Sequence, residues 1–419
     1  MKIVIVHNSY QQPGGEDFVF EQERRLLQER GHEVATYERS NWDADTYTGL
    51  KRLSLAKRTI WASDTRRDFA ALLRRETPDL VHIHNTFIMI SPSIYSACRE
   101  ADVPVVQTLH NYRLFCPAAT FFRDGRVCEE CVDHGLLHGV RHACYRDSMA
   151  TTAVTALMLT IHRQAGTWTE GVESYISLTE FSRSRFLRAG LPADKVFVKP
   201  NFVHPDPGVG AGNGDYAVFV GRLSPEKRVS TMLNAWTKLA ERKLDIPLWV
   251  VGGGPERSEL EAEAKERKLD NVIFKGLLPR PETIAAIGAA RFLVFSSEWY
   301  ENFPLTIAES FARGVPVISS RLGAMQEIVD DGRTGIHFTP GDPDDLAAKV
   351  EWAWQHPHLT RVMGKEARLE FEAKYVADEN YRQLMQIYNQ TLVKRGKLPA
   401  SRVGGTKSEF AGTSTAHTR

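Results

Sequence analysis

Phe295-Ser-Ser-Glu298-Trp-Tyr-Glu301-Asn-Phe-Pro304-Leu-Thr-Ile-Ala-Glu309-Ser-Phe-Ala-Arg-Gly314 carries a strand end, a polar loop and a helix start in close succession. The strand stops at Ser296 and the loop carries Glu301. Pro304 suits the first helical turn, where a missing N–H costs nothing. A helix start placed there turns free amides and a positive dipole end toward whatever lies above it, which favours phosphate. Glu309 falls about five residues into the helix, roughly 7–8 Å along its axis. Carboxylates so separated are not forced to share a proton. Glu301 and Glu309 therefore read as acceptors gripping hydroxyls at two points of an elongated ligand, with phosphate between them. Either glutamate alone would read as a solvated charge; the surrounding pattern reverses that.

The same strand–loop–helix rhythm extends in both directions. Strands are predicted at 216–220, 248–251, 272–275, 292–295 and 315–319, with helices at 229–242, 256–267, 282–289 and 304–313. Toward the N-terminus, strands are predicted at 2–7, 33–37, 80–84, 105–110, 176–179 and 196–199. After the first strand comes a loop, then a helix of about sixteen residues with Val19/Leu26 and Phe20/Leu27 on its inner face, ended by Gly31. Strand–helix alternation implies parallel sheets covered on both faces. A Pro, Gly and Asn-rich stretch at 200–215 reads as a linker between two such series. The fold expected is α/β, with two Rossmann-like domains at 1–200 and 201–376. The chain is helical from Asp342 to about 394, and 395–419, rich in Gly, Ser, Thr and Lys, is expected to be a disordered tail.

Composition agrees with that size. At ~150 residues per domain, 419 residues make two or three domains. Lys plus Arg number 53 and Asp plus Glu 52, a net charge of +1, so no global field recruits nucleic acid. The apolar start is too short for a signal peptide, and the apolar run at 153–161 falls short of the ~20 residues that span a bilayer. A cytoplasmic protein is expected.

Further polar motifs follow predicted strands. In Gly221-Arg222-Leu-Ser-Pro-Glu-Lys227-Arg228, a guanidinium fork and an ammonium suit a diphosphate, although one such basic loop alone is commonly just exposed. Val251-Gly252-Gly253-Gly254-Pro255 lacks the spaced third glycine of a dinucleotide fingerprint, so a nicotinamide enzyme is not indicated. Pro13-Gly14-Gly15 could receive phosphate or sugar from the opposite domain. His110 closes a strand and could bond a sugar hydroxyl; His84 has the same character with less support. Asp43-Ala-Asp45 spells an acidic metal motif but reads as a solvated loop. Cys116, Cys128, Cys131 and Cys144 would satisfy a tetrahedral structural zinc, the alternative being unpaired reduced thiols. The stretch 149–163, with Arg141, Arg146 and Arg163 nearby, reads as a core helix or as a peripheral membrane contact.

Gly221-Arg222 with Lys227, the Glu301/Glu309 pair and Arg313-Gly-Val-Pro-Val-Ile318 together resemble family 4 glycosyltransferases of the GT-B fold. Pro13-Gly14-Gly15-Glu16, Gly31-His32-Glu33-Val34 and Thr108-Leu-His110-Asn111 are similar to that family's first domain. The resemblance implies metal-independent, retaining transfer of a hexosyl or related sugar from a nucleotide diphosphate donor to a polysaccharide, oligosaccharide or lipid-linked acceptor. It makes 1–200 the acceptor side, 201–376 the nucleotide-sugar domain and 377–394 a helix returning to the first domain. It implies that Arg222 and Lys227, beside Gly221, neutralise the diphosphate. Glu309 would take the ribose, and Glu301, with Asn302 and Phe303, the donor sugar. Amides of Leu305 and Thr306 would cap the phosphate, and His110, Gly14 and Gly15 would reach across the cleft. His110, Glu301, Arg222 and Lys227 are the residues expected to act on the reacting bond. Asn302 and Pro304 stand where many relatives carry glycine, and Pro304 donates no amide, which moves capping to later residues. Two other readings are a nucleotide-sugar epimerase of the same fold, which needs no acceptor, and a non-catalytic nucleotide-sugar-binding subunit.

Overall fold

The computed structural model describes residues 1–11, 14–49, 51–211 and 214–399. Pro13, two residues of the linker and the tail from 400 onward lie outside the described residues.

Strands β1 (Lys2–Ser9), β2 (Glu33–Ser40), β3 (Leu80–Ile83) and β4 (Val105–Thr108) belong to the first sheet. A separate antiparallel hairpin follows, β5 (Phe122–Arg123) with β6 (Arg126–Val127). β7 (Ser174–Ser177) and β8 (Val196–Val198) complete the first sheet, in the order β2-β1-β3-β4-β7-β8. β9 (Ala217–Val220), β10 (Leu248–Val251), β11 (Val272–Gly276), β12 (Phe292–Phe295), β13 (Val317–Ser320) and β14 (Gly335–Phe338) form the second, ordered β11-β10-β9-β12-β13-β14. All pairings within the two six-stranded sheets are parallel. The central strands are buried along their whole length, as a parallel sheet covered on both faces requires.

Three features differ from the sequence pattern. β14 lies in a stretch that the pattern left unassigned. Gly335 and His337 are weak strand formers, and β14 is held at the sheet edge by β13 and by His337, whose Nε2 bonds the Val329 carbonyl at 2.9 Å. The hairpin β5–β6 is too short to carry a period. β4 stops at Thr108, so His110 lies two residues past the strand end, where the chain turns and Asn111 Oδ1 accepts from the Arg113 amide at 3.0 Å.

The last helix, Ala377–Lys394, packs on the first sheet and not on the second. Its Leu384, Ile387, Tyr388 and Leu392 share a core with Ile3, Ile5, Phe20, Leu27 and Val106. Polar anchors fix its register: Tyr388 OH meets His82 Nδ1 at 2.7 Å, and Thr391 Oγ1 meets Ser174 Oγ at 2.7 Å. Leu384 is fully buried there, so Leu384→Ala is expected to cost about 2–5 kcal/mol. A urea titration followed by tryptophan fluorescence measures it; a loss below about 1 kcal/mol would show that the helix does not need this contact.

Candidate active site

In each sheet the strand order reverses direction once, between β9 and β12 in the second sheet and between β1 and β3 in the first. Chains leaving neighbouring strands at such a point turn to opposite faces and open a crevice at the carboxyl edge. The two crevices face each other and enclose a cleft of about 820 Å³.

On the second-domain side, the loop after β9 brings Gly221, Arg222 and Lys227 to the cleft wall. The loop after β12 brings Glu301, Asn302 and Phe303, and the helix Leu305–Ala312 begins with Leu305 and Thr306 on the same wall. Pro304 caps that helix from outside it. The amides of Leu305 and Thr306, first in the helix, have no carbonyl one turn back, and this positive end of the helix lines the cleft. From the first domain, Gly14, Gly15 and His110 complete the lining.

Glu309 is not on that wall. It is buried beside the Arg280 guanidinium, 2.5 Å from Nη1 to Oε1. Burial pushes its carboxyl above the usual range, and Arg280 opposes the shift. Arg280, at the start of the helix Arg280–Ala289, also stacks 3.6 Å over the Phe18 ring of the first domain. One guanidinium therefore touches both domains and the glutamate. Sequence reasoning did not find it; the signal was a cation at a helix start just past the short loop after β11.

Lys227 forms an ion pair with Glu301, and Ser297 Oγ donates to the same carboxylate oxygen at 2.8 Å. The ammonium sits over the Phe295 and Trp299 rings, 5.2 and 5.7 Å from their centres. An ammonium has three donors, so Lys227 can keep Glu301 and still meet a phosphate. Arg222 is exposed, and its guanidinium has no ion-pair partner among the described residues. The next cation, Arg228, is engaged: Nε pairs with Glu298 at 3.0 Å and Nη2 donates to the Gly125 carbonyl at the hairpin tip, 2.6 Å away.

The domains are fastened at further points. Glu327 accepts from the amides of Glu180 and Phe181 at 2.8 and 2.7 Å, a carboxylate set on a helix N-terminus. Thr179 Oγ1 donates to the Asn302 carbonyl at 3.2 Å.

Cys116, Cys128, Cys131 and Cys144 are free thiols in the excursion that carries the hairpin. Burial, with the neighbouring thiols, pushes Cys131 up to about 12. No three of these sulfurs lie within 4.8 Å of one another; among the described residues only Glu23, His82 and His84 form such a group. The thiols are gathered without the closed tetrahedron that zinc needs. Asp43 and Asp45 are exposed, and Asp45 accepts from Gln11 Nε2 at 2.9 Å.

Glu16, the last residue of the Pro13–Glu16 motif and one given no role there, also lines the cleft. Burial, with the charge of Asp17, pushes its carboxyl up to about 8. Its Oε2 meets Asn111 Nδ2 at 3.3 Å and Tyr10 OH at 3.4 Å. The acid is neutral in the fold at pH 6 and ionised in the unfolded chain, so its contribution to stability is complete at low pH and is lost as pH rises toward 8. Glu16→Gln is expected to flatten the fall in melting temperature between pH 5 and about 8. Identical pH profiles for the two proteins would contradict the assignment.

Comparison with known proteins accords with this geometry. Residues 13–207 match the model described as Glycosyltransferase Family 4, and 208–370 match Glycosyl transferases group 1. An alpha-D-kanosaminyltransferase of Streptomyces kanamyceticus is 25% identical over 83% of this chain and 86% of its own. A sulfoquinovosyl transferase of Arabidopsis thaliana is 25% identical over 72% of this chain and 54% of its own, so the match spans about half of that relative's length. A D-rhamnosyltransferase of Pseudomonas aeruginosa is 29% identical over 39% of this chain and 42% of its own. Among solved structures, Anabaena HepE in complex with UDP superposes with a TM-score of 0.66 at 17% identity, covering 93% of this chain and all of that one. Sucrose-phosphate synthase of Thermosynechococcus elongatus gives 0.69 at 18% identity, over 94% and 99%. Two parallel sheets facing across a cleft are the GT-B fold, and the chain belongs to glycosyltransferase family 4.

Proposed function

We propose that this protein transfers a sugar, with retention of configuration, from a nucleoside diphosphate donor to a glycan or lipid-linked acceptor. The observation that carries the reading is the cation set at the β9–β12 crevice: Arg222 without an ion-pair partner among the described residues, Lys227 tied to Glu301, and the helix start at Leu305 lining the same cleft. As the glycosidic bond breaks, negative charge grows on the departing phosphate. Cations and amides held there in advance stabilise that charge without rearrangement. Such a pocket supplies the positive charge that a divalent ion would otherwise bring, and the transfer is metal-independent.

Glu301, paired with Lys227 and hydrogen-bonded by Ser297, is placed to accept from a donor-sugar hydroxyl. Glu309 reaches a ribose only by sharing Arg280 or by turning away from it. His110, Gly14 and Gly15 close over the sugar from the first domain. The acceptor approaches from that side. Met149, Leu157 and Ile161 are exposed on the helix Met149–Gln164, beside the exposed Arg141, which supports contact with a lipid-linked acceptor at a membrane surface. No helix among the described residues is long and apolar enough to cross a membrane. A structural zinc on the four cysteines would require their sulfurs to close to about 3.8 Å; metal analysis of the purified protein separates that state from free thiols.

Thermal-shift screening of UDP-, GDP- and ADP-sugars is expected to find a donor that raises the melting temperature. Arg222→Ala and Lys227→Ala should abolish its turnover and weaken binding of the matching nucleoside diphosphate. Unchanged affinity and rate in both variants would overturn the phosphate assignment. Product released in the original anomeric configuration, read by proton NMR, tests retention.

A further inference from the structure

Behind His110, on the side away from the cleft, lies a closed polar cluster that the proposed transfer does not use. Its members come from separate elements: Glu23 from the first helix, His82 from β3, His84 just after it, and Lys199 just after β8. Glu23, His84 and Lys199 are at most 3% exposed. His84 Nδ1 lies 2.9 Å from His110 Nε2, and the two rings stack at 5.1 Å with 19° between their planes. On the far side, His84 Nε2 faces Glu23 Oε2 at 4.0 Å, and the Lys199 ammonium stands 3.6 Å from that oxygen.

The ligand atoms of Glu23, His82 and His84 are close enough to suggest a cation site. The surrounding chemistry argues otherwise. Lys199 already supplies a positive charge to Glu23, and both nitrogens of His82 are engaged, Nδ1 with Tyr388 OH at 2.7 Å and Nε2 with Thr108 Oγ1 at 2.8 Å. The cluster holds protons in place, not a metal.

Burial keeps both His84 and His110 below the ordinary imidazole range, so each is neutral. A neutral imidazole has one donor and one acceptor nitrogen, and the hydrogen bond of one sets the other. Among the described residues no hydrogen bond reaches His84 Nε2; the Glu23 carboxyl facing it at 4.0 Å, beyond hydrogen-bond distance, favours the proton there by its charge. His84 Nδ1 is then an acceptor, His110 Nε2 must donate to it, and His110 Nδ1 carries a lone pair.

We infer that His84, backed by Glu23 and Lys199, is a positioning residue that fixes the tautomer of His110 so that its Nδ1 accepts a hydrogen bond from a hydroxyl of the donor sugar. The inference rests on the reading of His110 as a donor contact. Other groups around the pair are His7 from β1, whose Nε2 is held by Asp17 at 2.9 Å, and Phe20, whose ring stands edge-on to His84.

Nitrogen-15 NMR of the full chain labelled at histidine tests this without any ligand, with His110→Gln assigning the signal. His110 is expected as the Nε2–H tautomer in the native protein. In His84→Leu it should move to a mixture or to Nδ1–H, and His84→Asn, which can place a carbonyl oxygen near the lost nitrogen, should restore it. With the donor found by screening, His84→Leu should lower kcat about tenfold with little change in donor KM, and His84→Asn should recover most of it. Unaltered UDP, GDP or ADP binding, whichever matches that donor, confirms that the second domain is intact.

A native His110 protonated at Nδ1, or a tautomer indifferent to His84→Leu, would overturn the inference. If instead His110→Ala turned over at the native rate, the reading of His110 as a donor contact would fail, whatever the tautomer. Loss of activity in His110→Ala with full activity in His84→Leu would sink the positioning role alone.

Discussion

Every strand of the two large sheets runs parallel to its neighbours, and that constraint governs the rest of the molecule. Parallel strands gather their carboxyl ends on one edge, so each sheet has a single edge where loops leave and helices start. The reversal in strand order opens that edge at β9–β12 and at β1–β3. Set face to face, the two edges concentrate helix N-termini and strand-end loops in one cleft. The charge chemistry follows from the topology, because positive helix ends and short flexible loops are what this edge has to offer.

Carboxylates brought into such a cleft lose solvation, and the structure answers each one differently. Glu301 receives Lys227 and Ser297. Glu309 receives Arg280. Glu16 forms no ion pair among the described residues and is held neutral by burial, against the weaker pull of the Arg113 charge. Asp17, though burial works against its charge, is held below the usual carboxylate range by the His7 ring and the Gly14 amide. Acids without free charge thus stand on both sides of the cleft, Glu301 from the second domain and Glu16 from the first, while Arg222 has no ion-pair partner among the described residues. The Arg280 guanidinium, shared between Glu309 and Phe18, ties this electrostatic arrangement to the closure of the two domains.

Much of this was legible in the residues. Strands with continuous apolar runs, such as Leu248–Val251 and Phe292–Phe295, have the bounds that their composition suggests. The motif residues after β9 and β12, Arg222, Lys227 and Glu301, stand on one cleft wall because a strand end fixes where its loop emerges. β14 escaped because Gly335 and His337 owe their extended form to β13. Arg280 and Glu16 escaped because their partners come from distant segments: Phe18 lies in the opposite domain, and the Glu16 carboxyl meets Asn111.

Alternation of strands and helices, the glycine and proline punctuation and the spacing of charged residues after strands are local properties. From them the amino-acid sequence alone determined the fold class, the family resemblance and most of the cleft wall. Which charges meet is a different matter. That Lys227 grips Glu301, that Glu309 turns to Arg280, and that His84 stands behind His110 depend on distances between segments far apart in the chain. Only the tertiary structure decided these, because an ion pair or a tautomer answers to the field of its spatial neighbours, and no local pattern encodes who those neighbours are.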